Sequence, residues 1–165
     1  MVLRQKRSYY SDIEEAPLRI TKAVEYAIRC VLYLATVGKH KLVTRKQIGA
    51  SMDIPDQFLR KIAQQLAKAE IIDIVQGPRG GYRLLMEPEE LTLLDVVEAM
   101  IGKICLNECV VDPDFCFRSP TCSVHGVWQK ATEQLRQTLK ESTFSKLIEQ
   151  GSCVLEQGHM ALGGA

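Results

Sequence analysis

The chain has 165 residues, 46% hydrophobic and 25% charged, with a formal net charge of +1. Such a length suits one domain or a small domain with an appendage, and the composition is that of an ordinary globular protein. No apolar run approaches the ~20 residues of a membrane span, and the basic start Met1–Arg7 leads into polar residues rather than a signal-peptide core, so membrane insertion and export are set aside and a cytoplasmic protein is expected.

Residues 1–17 read as an N-terminal extension, polar and ending at Ala16-Pro17. From Thr21 the apolar positions Val24, Ala27, Ile28, Val31 and Leu32 recur at helical spacing as far as Gly38, a natural stop. Cys30 lies in that stripe and reads as core. Thr44 and Gln47 form a capping box that opens a short helix ending near Met52. Asp53-Ile54 turns the chain, and Pro55 suits the first position of a second helix running to Ala69. Phe58, Leu59, Ile62 and Leu66 form its expected buried side, with Gln57, Arg60 and Lys61 outside. Ile71–Gln76 and Tyr82–Met86 read as strands joined by the turn-rich Gly77-Pro-Arg-Gly-Gly81.

Thr92 then caps another helix, followed by a thiol-rich loop over 102–121. Ser119, with Pro120 behind it, is expected to cap a long helix. Its stripe is Val124, Trp128, Ala131, Leu135 and Leu139, and Phe144–Ile148 adds a last turn or two. The tail over 151–165, with Cys153 and His159, is rich in glycine and expected to be flexible. The predicted class is mostly α with a small β-hairpin. A winged helix-turn-helix domain over 18–101 precedes the loop, and a long helix with its last turn covers 122–150.

Two sets of residues carry chemistry. Cys105, Cys109, Cys116, Cys122 and His125 put four thiols and an imidazole into one short stretch. Thiolate and imidazole together suit zinc or an iron–sulfur centre, and in a reducing compartment clustered cysteines read as ligands or redox groups rather than staples. The bland reading is a set of free or disulfide-bonded cysteines. The second set is basic: residues 39–83 hold nine basic and four acidic side chains, whereas 84–165 hold six and twelve. In a winged helix-turn-helix the second helix enters the major groove near its N-terminus, making Gln57, Arg60 and Lys61 candidates for base contact. Arg45 and Lys46 would meet phosphate; Arg79 at the hairpin tip would reach a groove or phosphate, with Gly80 and Gly81 allowing close approach.

Taken in order, Ile54-Pro-x-x-Phe58-Leu59-x-x-Ile62-x-x-x-Leu66, Gly77-x-x-Gly80-Gly81-Tyr82-x-Leu84, three cysteines and a Trp-bearing long helix resemble the IscR-like (Rrf-two) transcription regulators. The resemblance spans Leu18 to Gly151. It implies a homodimer with crossed C-terminal helices on a partly palindromic double-stranded DNA operator, without a small-molecule substrate, and acting as a repressor. It also implies an iron–sulfur cluster, 2Fe–2S ahead of 4Fe–4S, whose state sets DNA affinity in response to iron–sulfur status, oxidants or nitric oxide. Cys109, Cys116 and Cys122 fall at the cluster thiolates of that family. His125 falls at the histidine ligand of one branch and Glu25 at the carboxylate ligand of others; His125 is preferred, with Glu25 or Cys105 as alternatives. Cys105 is extra, the loop from Cys109 to Cys116 is one residue longer than in the IscR branch, and Gln76 stands where the wing usually has arginine.

Two other readings stay open. One keeps DNA binding but holds zinc, or a dithiol–disulfide pair, in place of the cluster. The other is an iron–sulfur electron-transfer protein or enzyme. No nucleophile–base constellation supports an enzyme, and Gly77–Gly81 joins strand to strand rather than strand to helix, so it is not a nucleotide loop.

Overall fold

The structure, a computed structural model, describes residues 20–151. The extension expected over 1–17 and the tail from 152 onward, with Cys153 and His159, lie outside the described residues.

Local chemistry sets most boundaries. The Thr21 hydroxyl accepts from the Val24 amide at the start of α1 (Lys22–Val37), and Gly38, at φ 106°, ends it. The Thr44–Gln47 capping box opens α2 (Arg45–Met52), with each side chain serving the other's backbone amide. Asp53 then takes the left-handed conformation and the Ile54 amide donates to the Gly49 carbonyl at 3.0 Å, closing the turn. The second helix, α3, runs Asp56–Lys68, and Pro55 is its cap with ψ 136° rather than its first residue. The hairpin pairs β1 (Ile72–Val75) with β2 (Gly81–Leu84) antiparallel, in the register Ile72↔Leu84 to Val75↔Gly81. Val43 adds a further rung, exchanging backbone bonds with Tyr82 at 2.9 and 2.8 Å. A second capping box, Thr92 with Asp95, opens α4 (Leu93–Ile101). Beyond the loop come α5 (Glu108–Val111), α6 (Ser123–Glu141) and α7 (Phe144–Glu149).

The core is built around α1, which packs against α3, α4 and α7. Leu34, Ile48, Leu59, Ile62, Leu66, Ile72, Leu84, Leu91 and Phe144 are its largest fully buried side chains besides valines. Mostly helical, with a two-stranded wing after a helix-turn-helix, this is the expected class. Cys30 is wholly buried in it, and burial pushes its thiol up to about 12, which leaves it a small hydrophobe. No helix among the described residues is long and apolar enough to cross a membrane.

Three expectations are corrected. Phe58 is 39% exposed: Leu59 and Ile62 take the interior, and Phe58 lies at the margin of the α1–α3 contact, its ring tilted against Tyr26 at 5.6 Å. Ser119 does not cap α6. It starts a 3-10 turn (Ser119–Thr121), and Cys122 is the N-cap without a side-chain bond. Phe144–Ile148 is not an extension of α6. The chain breaks at Ser142, Thr143 caps a new helix, and Phe144 enters the core.

The helix-turn-helix makes a small, checkable demand on local stability. Thr44→Ala removes one half of the α2 box and should lower unfolding free energy by about 1 kcal/mol, read as a shifted urea midpoint at unchanged slope. No shift would mean that the box contributes nothing to α2.

Candidate functional site

The first candidate surface is the exposed face of α3 with the wing beside it. Gln57, Arg60 and Lys61 are all exposed there, on the side opposite Leu59, Ile62 and Leu66. Arg45 and Lys46 project from the first turn of α2, also exposed. Arg79 is exposed in the wing turn, where the Gly80 amide donates to the Gly77 carbonyl at 2.9 Å. A cleft of about 720 Å³ runs between these parts, lined by Arg45, Lys46, Asp56, Gln76, Gly77 and Pro78 among others. Tyr82, mostly buried, also lines it, and burial raises its phenol above the usual range.

The two wing glycines take a different part from the one expected. Gly81 is buried, and a Cβ there would stand 2.2 Å from the Val43 carbonyl oxygen. A Cβ on Gly80 would stand 2.2 Å from the Val75 carbonyl oxygen. Their bareness is therefore used by the wing's own backbone; Gly81 shapes the surface without being presented on it.

Asp56, exposed at the start of α3, is the hub of the basic side chains. Its Oδ1 lies 2.5 Å from Arg45 Nε, and its Oδ2 accepts from Arg60 Nε at 2.9 Å and Nη2 at 2.6 Å. The Arg60 guanidinium, with Arg45 behind it, holds this carboxyl below the ordinary carboxylate range. Half of the arrangement was signalled by the four-residue spacing of Asp56 and Arg60.

The second candidate is the thiol loop. Gly102 ends α4 at φ 81°, and the chain is then pinned twice. The Ile104 amide donates to Glu98 of α4 at 2.8 Å, and the Leu106 amide donates to the buried Thr132 hydroxyl of α6 at 3.2 Å. Arg136 of α6 also pairs with Glu98. Nothing in the sequence singles out Glu98, Thr132 or Arg136, because mid-helix polar residues are ordinarily solvated. Beyond the pins, α5 carries Cys109, Cys116 follows the 3-10 turn Pro113–Phe115, and Cys122 caps α6.

His125, three residues into α6, brings its Nδ1 to 3.4 Å from Cys109 Sγ, 16 residues away in the chain. Cys105, Cys109 and Cys116 are partly exposed and Cys122 is exposed. No three His, Cys, Asp or Glu side chains among the described residues are grouped as metal ligands would be. Glu25 is occupied elsewhere, on α1, with Lys22 at 2.8 Å and with Arg29. The Lys22 bond, with the positive charges of Lys22 and Arg29, lowers its carboxyl from the ordinary value.

The donor set is soft and suits an iron–sulfur or zinc centre in kind, and one pair is already adjacent. The Ser119 hydroxyl, between Cys116 and Cys122, is buried without a hydrogen-bond partner. A buried hydroxyl without a partner, in the stretch between two of the cysteines, is a donor that an anionic, sulfur-rich group would satisfy.

The long helix is the third open feature. Thr132 is the only buried residue of α6, while Val124, Val127 and Trp128 are 48%, 60% and 37% exposed. An apolar stripe left bare on a helix of 19 residues is unusual for a face meant for water.

Known proteins match this chain over nearly all the described residues. A family model, Rrf2, described as iron-dependent transcriptional regulator, matches residues 20–150. An HTH-type transcriptional regulator NsrR of Shouchella clausii is 33% identical over 132 residues, covering 79% of this chain and 89% of that protein. A putative HTH-type transcriptional regulator of Aquifex aeolicus is 31% identical over 139 residues, 83% of this chain and 92% of its own. Among solved structures, IscR of T. potens superposes with a TM-score of 0.64 at 20% identity, covering 88% of this chain and 94% of that one. CymR (YrzC), the global cysteine regulator of B. subtilis, gives 0.66 at 20% identity, covering 82% and 100%. At such identities the structural likeness speaks for the fold alone.

Proposed function

The chain belongs to the Rrf2 family of iron-dependent transcriptional regulators, and from that premise we propose that it is a dimeric repressor whose operator affinity is set by an iron–sulfur centre on Cys109, Cys116, Cys122 and His125. Its relatives regulate transcription, and it is a regulator rather than an enzyme. The observation that carries the cluster reading is the Cys109–His125 contact. It joins two soft donors across the loop that separates the DNA-reading body from α6.

DNA recognition would divide by chemistry. Gln57 offers the paired donor and acceptor that match an adenine edge, and Arg60 the fork that matches guanine. Lys46 and Arg79 would neutralise phosphate, which fixes register without reading sequence. Lys46→Ala should therefore weaken binding to all duplexes and lower the salt slope by about 1, whereas Gln57→Ala should lose about 1–3 kcal/mol at particular base positions only. Equal, sequence-blind losses from both substitutions would remove Gln57 from base reading. The bare stripe of α6 would pair with its copy in a partner subunit, presenting two reading helices to one operator.

An iron–sulfur centre supplies a redox-active, reactant-sensitive link between side chains that are otherwise independent. Here the chain's own part is to hold those side chains on structures that meet. Cys109 rides on α5, Cys122 caps α6, and the preceding strand of loop is pinned to α4 by Glu98 and to α6 by Thr132. Drawing Cys109 and Cys116 toward Cys122 and His125 would reset how α6 lies on α4. Coupling of ~1–3 kcal/mol between that setting and the spacing of reading helices changes affinity 5–150-fold.

A second reading is favoured by Cys105, a partly exposed thiol four residues before Cys109 that the four-ligand set leaves unused. With it the loop could hold zinc on four thiolates, or close a disulfide. Protein isolated without oxygen decides between them. Visible absorption with matched iron and sulfide supports the cluster. Colourless protein with one equivalent of zinc overturns it, and metal-free protein whose free-thiol count falls on oxidation favours the disulfide.

A further inference from the structure

We propose that Asp56 is a specificity-setting residue for DNA, restraining Arg45 and Arg60 so that they engage a matching operator in preference to any phosphate. The inference rests on the reading of α3 as the DNA-reading helix. It concerns a residue that no base or phosphate contact would require.

An ion pair between residues four apart on an exposed helix is ordinarily only a surface contact. Asp56 differs in receiving a second cation from another helix. Arg60 fills one carboxylate oxygen with Nε and Nη2, and Arg45, from the first turn of α2, lies against the other. Both arginines remain well exposed, so the pairing does not bury them; it orients them. Arg60 Nη1 takes no part in the bond to Asp56, leaving one edge of the guanidinium free of the carboxylate. An arginine held at its inner edge presents the rest of its fork with fewer rotamers to lose, which favours a geometrically exacting acceptor such as a guanine edge.

The same carboxylate acts against unselective binding. It lines the cleft between α2 and the wing, alongside Arg45 and Lys46. A phosphate entering there meets a like charge, or must pull an arginine off Asp56, and like-charge juxtaposition suppresses wrong partners. A base edge is uncharged and meets no such opposition. Asp56 thus lowers affinity for all DNA while lowering it least where the bases match.

The test uses full-length protein and two probes: a duplex enriched from a randomised library by the wild-type protein, and unselected genomic duplex. Asp56→Asn keeps size and removes charge. It should raise affinity for the unselected duplex about tenfold and that for the selected duplex less, steepen the salt slope on unselected duplex by about 1, and so cut the ratio of selected to unselected affinity severalfold. Asp56→Glu, which keeps the charge, should stay nearer wild type in that ratio. In an Arg45→Gln, Arg60→Gln background, Asp56→Asn should leave the ratio unchanged. The proposal is overturned if Asp56→Asn leaves the ratio intact, whether both affinities hold steady or fall together. Gln57→Ala and Lys46→Ala serve as controls in the same assay. If these weaken binding while Asp56→Asn leaves the ratio intact, the proposal fails alone; if neither does, or no motif is enriched, the DNA-reading assignment of α3 fails with it.

Discussion

Protein carrying serine at positions 109, 116 and 122 together should be isolated without oxygen as a colourless, iron-free species, with operator affinity altered within the 5–150-fold range of ordinary allosteric coupling. Serine keeps the size of cysteine but offers a hard, protonated oxygen where a soft thiolate is needed, so the donor set collapses without a packing defect. All three positions are partly or fully exposed on the loop, which makes a folding failure a poor explanation of the result. Far-ultraviolet dichroism and an unchanged unfolding midpoint would exclude one directly. Cys30 is the internal control: it is wholly buried, and replacing it should disturb packing without changing iron content. Iron and affinity that both survive the triple change would end the cluster reading. Loss of iron with affinity intact would leave a bound centre with no regulatory part.

His125→Ala and Glu25→Ala sharpen the same experiment. His125 is already beside Cys109, so its loss should lower iron retention or shift the visible spectrum. Glu25 is engaged by Lys22 and Arg29 on α1, and reaching a metal would mean giving up both partners.

The helix-turn-helix, the wing and the α4 start were readable because their signals are local. A capping box closes within four residues, as Thr44–Gln47 and Thr92–Asp95 do, and a Gly-rich turn between β-branched runs leaves few alternatives to a hairpin. What sequence could not supply were choices decided by distant partners. Ser119 looks like a cap because serine before proline is a good helix start, yet its hydroxyl is buried in a 3-10 turn and the helix waits for Ser123. Phe58 fits an apolar stripe, but only the angle of α3 against α1 decides that it lies at the edge. The candidate site divides the same way. The exposed basic residues followed from helical period, whereas the convergence of Arg45 on Asp56 needs the fold of the turn between two helices. Gly81 shows the opposite hazard: its value at a DNA surface looked like access, and the structure gives it to the Val43 backbone.

Phe144→Ala should destabilise the protein by about 3–5 kcal/mol, a large part of the ~5–15 kcal/mol that holds a domain together. Read as the end of a dimer helix, Phe144 would be expected to matter mainly for association. Instead it is fully buried in the core, on a helix that packs against α1. Three backbone bonds stitch the approach to α7 onto the segment before and into α4: Leu93 N–H to Ser142 carbonyl at 2.8 Å, Phe144 N–H to Leu91 carbonyl at 2.9 Å, and Ser145 N–H to Pro88 carbonyl at 2.9 Å. Truncating the ring leaves a cavity that these bonds keep from collapsing, which places the loss toward the upper part of that range. Chemical denaturation measures it, and Phe115→Ala, at a side chain 62% exposed in the thiol loop, should stay within about 0.5 kcal/mol of wild type. The consequence for regulation follows from where the anchor sits. The helix α6 is fastened along its middle, through Thr132 to the loop and through Arg136 to Glu98, and beyond its end by Phe144, so any rearrangement of the thiol loop must turn a rod whose far end is held in the DNA-reading body. Phe144→Ala loosens that end, and at temperatures where the variant remains folded it should reduce the affinity difference between iron-loaded and iron-free protein. A full difference retained in a destabilised Phe144→Ala protein would show that the signal reaches α3 by another path, through α4 alone.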